Sequence, residues 1–409
     1  MSTWITMEEA RAALGVRPQT LYAYVSRGRI GVQPDPQDPR RSLYRAEDVN
    51  GLVRRKADGR SRATLAATTL FGAEPSVPTA VCAISGGRLY YRGREVSALA
   101  AQATLEQAAQ CLWACEEAVQ LPTPSATTAA PGAPLTVPAG AAAGRVRAFT
   151  ELALLAATGS STRGRLPRVL QEEASQLVGR VATAFGASTA RSHQGRPLHE
   201  RLARGWKQPA AVADLLRRAL VLLTDHELTS SAFSARITAS TGASLPACLL
   251  AGLTTFSGPL HGDASARVRA LFDEVARAGP DAVIERHLSA AVPLPGFGHP
   301  LYPDGDPRAA ALMPDLDLPV HVARLIDQVA RLTGQAPTID VALAALAARH
   351  RLPPDAAFAL FATARSVGLL AHAMEQLSVD SVIRPRGRYV GPPLEAPPTP
   401  PARPRRVRQ

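Results

Sequence analysis

From about residue 145 to 380 nearly every stretch of the chain reads as helix. Apolar residues recur at helical spacing, and the breaks are short turns bearing glycine and proline. A run of helices this long buries its apolar faces by packing helix on helix, so the expected fold is mainly α. Leu245 to Phe256 is the most apolar stretch, but Pro246 and the turn that follows make it a buried helix. No apolar run approaches the ~20 residues that a membrane span needs. Hydrophobic residues make up 46% of the 409, enough for a sizeable core, while aromatics are only 5%, so Leu, Ala and Val must fill it. At ~150 residues per domain, the length suggests two or three domains.

The first 57 residues form a separate unit. MEEARAAL is a short helix with Ala10 and Leu14 inward, and Gly15 suits a tight turn. PQTLYAYVSRG is a second helix, with Pro18 in its first turn and Leu21 and Val25 one turn apart. GVQPDPQDPRRSLYR is expected as a β-hairpin wing, and RAEDVNGLVRRK as a third helix carrying Val49, Leu52 and Val53. This order is that of a winged helix-turn-helix and resembles MerR- and excisionase-like DNA-binding domains. The resemblance implies DNA contacts at Arg17, Gln19, Thr20, Tyr22 and Arg27, with Arg40, Arg41 and Arg45 on the wing near phosphates. The competing expectation is a module kept for protein contact or oligomerisation. The net charge of +12 fits a polyanionic partner, but lysine occurs only at Lys56 and Lys207, so arginine-rich coding bias accounts for it equally well.

Residues 58–75 read as a linker. At 78–95 the alternation around Gly86 and Gly87 marks a hairpin, and ATLEQAAQCLW starts a helix. Residues 119–144 and the tail 393–409 are proline-rich and expected to be poorly ordered. The N-terminus lacks a basic region followed by an apolar stretch, so no signal peptide is expected. Cys82, Cys111, Cys115 and Cys248 lack partners at metal-ligand spacing and are expected as free buried thiols in a reducing cytoplasm.

Two turns carry the chemistry. In GPLHGDAS, His261 lies just before a helix with Asp263 as the expected N-cap; amides at a helix start disfavour the imidazolium, leaving a neutral donor. In GFGHPLYPDGDPRAA, His299 follows a glycine-bracketed bend. Asp306 is the expected N-cap, Pro307 the first helical residue and Arg308 the second. A cation at that position needs an anion, from Asp304, Asp306 or a bound carboxylate. Arg365 lies in an otherwise apolar helix, where a guanidinium is costly unless paired, and Arg384 follows a helix end. With His226 in TDHELTSSAF, these arginines suit a small dicarboxylate. Asp340 heads the apolar helix IDVALAAL and is the candidate base, against the plain alternative of an N-terminal helix carboxylate.

DHELTSSAFSARITASTGASLPACLLAG, GPLHGDAS, PGFGHPLYPDGDPR, PTIDVALAAL, ATARSVGLLAHAMEQ and RPRGRYVG, with RLYYRGREVSALA upstream, resemble the citrate synthase family. The resemblance spans residues 76–392. It implies a two-domain helical fold with a smaller domain at roughly 263–375, and a homodimer in which Arg384 reaches the neighbouring subunit's site. It implies Claisen condensation of acetyl-CoA, or a similar short acyl-CoA, with oxaloacetate or a similar 2-oxo acid. Asp340, His261 and His299 are then catalytic, and His226, Arg308, Arg365 and Arg384 bind substrate. Acyl-CoA is a substrate, and no cofactor, metal or membrane is expected. Asparagine is usual in the family where Thr229, Ser265 and Thr338 stand, glycine where Asp263 stands, and arginine commonly where Pro300 stands. These departures alter the substrate shell and leave the three chemical residues intact. The competing expectations are a DNA-binding regulator that uses the domain as metabolite sensor and dimeriser, and the reverse cleavage of citryl-CoA.

Overall fold

The computed structural model describes residues 4–16, 21–22, 24–25, 30–36, 38, 41–50, 52–53, 77–124, 140, 142–379, 381–385 and 389–392. It divides into two compact units, Met1–Pro78 and Thr79–Gln409.

In the first unit, helix α1 (Met7–Leu14) starts with a capping box. The Thr6 hydroxyl accepts from the Glu9 amide at 3.3 Å, and the Glu9 carboxylate accepts from the Thr6 amide at 2.8 Å. Strands β1 (Trp4–Ile5), β2 (Val32–Pro34) and β3 (Ser42–Arg45) form an antiparallel sheet in the order β1-β3-β2. Strands β2 and β3 therefore form the hairpin expected there, with an added edge strand from the N-terminus that the sequence reading missed. Ala10, Leu14, Leu21, Ile30, Tyr44 and Val49 make a small core. Leu21, Tyr22, Tyr24 and Val25 are helical, as are residues 46–50 and 52–53. Tyr22 is exposed; Arg41 pairs with Asp38 at 3.4 Å, and Arg45 lies 5.6 Å from the Trp4 ring centroid. Arg17, Gln19, Thr20, Arg27 and Arg40 lie outside the described residues, as do the linker at 58–75 and the tail from 393.

The second unit opens with a hairpin, β4 (Cys82–Ser85) and β5 (Arg88–Tyr91), joined through Gly86 and Gly87 at φ 55° and 71°. Two successive positive φ values define the tight turn that matches strand twist, which is why two glycines stand there. Strand β6 (Arg94–Glu95) pairs with β5. Helices then follow almost without interruption. The one that organises them, Ala356–Leu377, packs against Leu105–Trp113, Pro167–Ala184, Ala210–Leu223, Ser230–Ser240 and Leu245–Phe256. It is buried on all sides, as a helix apolar around its whole circumference must be. With 22 residues, an 18-residue window of which has a mean hydropathy of 1.4, it is long and apolar enough to cross a membrane, which corrects the expectation that no such run exists; 89% of that window is buried in protein. Arg236 ties its C-terminal end down through Glu375 at 2.8 Å and through the Gln376 carbonyl at 3.0 and 3.1 Å. Cys82 and Cys248 are buried as expected, whereas Cys111 and Cys115 are only half-buried.

Candidate active site

The hairpin and the central helix together place residues 224–229. The Tyr91 hydroxyl accepts from the Asp225 amide at 3.0 Å and lies 3.0 Å from the Val221 carbonyl at the end of the helix Ala210–Leu223. The Cys82 sulfur accepts from the Glu227 amide at 3.1 Å. Glu227 is held at φ 61°, a left-handed conformation costly for a non-glycine residue, so the segment is bent sharply beside His226. Asp225 is fully buried and bonds His372 at 3.3 Å. Burial works to raise the Asp225 carboxyl, but the His372 ring bonded to it and then the Arg365 guanidinium hold it below the usual range. His226 thus emerges from a rigid, charge-balanced base.

His299 and Asp340 are set by a second pair of turns. The Gly298 amide donates to the Ala336 carbonyl at 2.9 Å, and the Thr338 amide to the Gly296 carbonyl at 2.8 Å. Asp306 caps the helix Pro307–Leu312 as expected, accepting from the Arg308 amide at 3.0 Å. Its carboxylate also takes the Arg308 guanidinium at 2.8 and 2.9 Å and the Ile339 amide at 2.9 Å. One buried carboxylate therefore settles which anion Arg308 pairs with and fixes the start of the helix Ile339–Arg349, which carries Asp340. Ser265 donates to one Asp340 oxygen at 2.7 Å, and the Thr338 hydroxyl lies 3.5 Å from the other. Burial raises the Asp340 carboxyl, opposed by the Ser265 hydrogen bond and the Arg308 charge.

His261, His299, Arg308 and Arg365 all act on His226 electrostatically, and Arg308 acts on Asp340, so the structure brings these six expected residues near one another. The rings of His226 and His299 are 5.4 Å apart. All three histidines are pushed toward the neutral form, each chiefly by burial and then by arginine charge, and His261 falls to about 4. For His261 the causes are burial and then Arg365. The Leu301 amide donates to His299 Nδ1 at 3.2 Å, which puts the proton of the neutral ring on Nε2. Ser231 Oγ lies 2.8 Å from His261 Nε2 and 3.0 Å from Thr229 Oγ1, itself the acceptor of the Ala232 amide. Either hydroxyl can donate in the Thr229–Ser231 pair; where Ser231 donates to His261, the proton of that ring sits on Nδ1. Arg365 is 1% exposed; its Nε donates to the Leu223 carbonyl at 3.2 Å, while Nη2 is buried with no partner among the described residues. A guanidinium left so is a ready anion site.

One expectation fails here. Asp263 does not cap its helix: at ψ 14° its backbone is not extended enough to bring the carboxylate over the first amides. The carboxylate instead pairs with Arg145 at 3.1 and 3.2 Å, and Arg145 also reaches Asp355 at 3.0 Å. Its negative charge is thereby occupied. Arg384 is exposed in the segment after the last helix. Sequence reasoning missed Ser231, Tyr302 and Asp225 as parts of the site. Ser265 and Thr338 stood out only as departures, and both prove to address the Asp340 carboxylate.

The depressed histidines have a measurable consequence. An unfolded histidine titrates near ~6.5 and takes up protons below it before the folded one does. The stability contributed by His261 is whole above that pH, erodes as pH falls, and is lost below about 4. Between pH 7 and 5 the thermal midpoint of His261→Gln should fall by less than that of the parent chain. Equal falls would show that the buried imidazole is not what acid attacks.

The family model described as citrate synthase, C-terminal domain, matches residues 72–386. A putative citrate synthase 2 of Mycobacterium tuberculosis is 36% identical over 185 residues, 42% of this chain and 50% of the relative. The chain thus spans about half the length of the curated relatives it matches. The crystal structure of citrate synthase from Thermotoga maritima superposes with a TM-score of 0.64 at 25% identity, covering 80% of this chain and 96% of that one. The citrate synthase of Thermoplasma acidophilum, solved as a ternary complex with carboxymethyl coenzyme A and oxaloacetate, has a TM-score of 0.62 at 22% identity over 82% of this chain and 98% of its own, and shows the shared fold. Since the family model spans well over half of the chain and the helical site described above falls inside it, the chain belongs to the citrate synthase family.

Proposed function

We propose that the chain condenses a short acyl-CoA with a 2-oxo dicarboxylate, acetyl-CoA and oxaloacetate giving citrate and CoA. The observation that carries this is one cationic cluster holding a carboxylate raised by burial, three neutral imidazoles and a buried guanidinium nitrogen without a partner among the described residues. Asp340 removes a proton from the acyl α-carbon. His261, with its proton on Nδ1, donates to the thioester oxygen and stabilises the enol. The enol carbon attacks the ketone of the oxo acid, and His299 Nε2 gives its proton to the ketone oxygen. Water then cleaves the thioester, releasing CoA. Base and acid placed together suit so weak a C–H acid, and the chemistry asks for no resident cofactor. Arg308, Arg365 and His226 hold the carboxylates, and Arg384, exposed at the chain's end, serves the site of a second copy in a homodimer.

The test is CoA release from acetyl-CoA or propionyl-CoA with oxaloacetate. Release that falls by at least ~10²-fold in His299→Ala supports the reading. Absence of release with either acyl-CoA would sink it. For the N-terminal unit we propose a helix-turn-helix role in binding DNA, supported by the antiparallel wing that carries Arg41 and Arg45. A gel shift with no salt-sensitive retardation would remove that role.

A further inference from the structure

We propose that Tyr302 is a positioning residue for the oxo acid: its hydroxyl donates to His226 Nε2 and so makes Nδ1 of that histidine the donor that faces the ligand. This rests on the condensation reading above. Tyr302 is 2% exposed and touches three of the site residues. Its hydroxyl lies 2.9 Å from His226 Nε2. Its ring is tilted against His299 with centroids 4.8 Å apart, and the Arg308 guanidinium carbon lies 5.7 Å from its centroid. The Tyr302 amide donates to the His299 carbonyl at 3.0 Å, so the tight turn that presents His299 also aims the phenol.

Direction follows from charge. The cluster around His226 is cationic, and burial with Arg308 and Arg365 keeps the ring neutral. A neutral imidazole carries one proton, on one nitrogen. Were that proton on Nε2 and given to Tyr302, the Nδ1 lone pair would face an anionic ligand and repel it. A phenol stays protonated far above neutrality, and burial raises this one further, so Tyr302 has a proton to give. Among the described residues no hydrogen bond engages Nδ1, which leaves it open to a carboxylate or ketone oxygen. Tyr302 would thus set for His226 what the Leu301 amide sets for His299.

Tyr302→Phe keeps the ring and removes only the hydroxyl. The expected result is an oxaloacetate KM raised about fivefold to tenfold, the loss typical of one buried hydrogen bond, with the acetyl-CoA KM within about twofold of the parent. In a His226→Gln background the same change should add less than about twofold, because the hydroxyl acts through that ring. Equal effects with and without His226, or an unchanged oxaloacetate KM, would overturn the proposal. Calorimetric binding of oxaloacetate to the same proteins separates the two claims. If the parent chain binds no oxaloacetate, the condensation reading fails and this role falls with it; if parent and Tyr302→Phe bind equally, only the positioning role fails. The thermal midpoint of Tyr302→Phe checks that the fold is intact. Should that variant unfold, the parent chain supplies the test: ¹⁵N chemical shifts of the His226 ring should show Nδ1 protonated and Nε2 as the acceptor, and the opposite tautomer would overturn the proposal.

Discussion

Asp340→Asn should reduce CoA release by about 10²- to 10⁴-fold, the range over which a positioned general base acts. The asparagine keeps the shape of the carboxylate and can still accept from Ser265, so the loss would report the missing base alone. Stability should move the other way. Because burial raises the Asp340 carboxyl in the folded chain, the ionised form carries a cost that is full above its folded pKa and fades as pH falls through it toward the unfolded value. At neutral pH the asparagine removes that cost, and its thermal midpoint should equal or exceed the parent's. Active sites hold such residues at the expense of stability. Release above about a tenth of the parent rate would show that another group is the base; a lower midpoint would show that the carboxylate is structural.

Gly368→Ala should damage the fold and the site together. A Cβ there would stand 2.2 Å from a carboxylate oxygen of Asp225 and 2.4 Å from the Thr224 carbonyl. Alanine favours an open helix over glycine by about 1 kcal/mol, but overpacking of about 1–3 kcal/mol or more outweighs it. Neither obstacle can yield easily: one is backbone, and the other is a buried carboxylate bonded to His372. The helix would have to withdraw from the segment that carries His226, so oxaloacetate affinity should fall together with the thermal midpoint. Unchanged binding and melting would mean that this close approach does not set His226.

Much of the chain is legible before any coordinates, because its signals are local. Gly15, the Gly86-Gly87 pair and Asp306-Pro307 each announce an element end through the backbone geometry they favour, and each does so in the structure. His261, His299, Asp340, Arg308 and Arg365 could be singled out because their neighbours are apolar or turn-forming. The positions misjudged are those whose partners lie far along the chain. Asp263 reads as a cap until Arg145, more than one hundred residues earlier, takes its carboxylate. Tyr302 reads as an ordinary turn aromatic until His226 meets its hydroxyl. Asp225 reads as one acid among many until His372 and Arg365 close over it.

The amino-acid order by itself determined the helical architecture, the two chemical turns, and the residue types able to move protons and hold carboxylates. Spacing and turn chemistry act within a few residues, and the chain states them directly. Only the tertiary structure decided which charges pair, which imidazole nitrogen carries the proton, and which arginine keeps a nitrogen free for a ligand. Those outcomes depend on burial and on groups brought together from distant segments, and both arise only when the helices pack and water leaves.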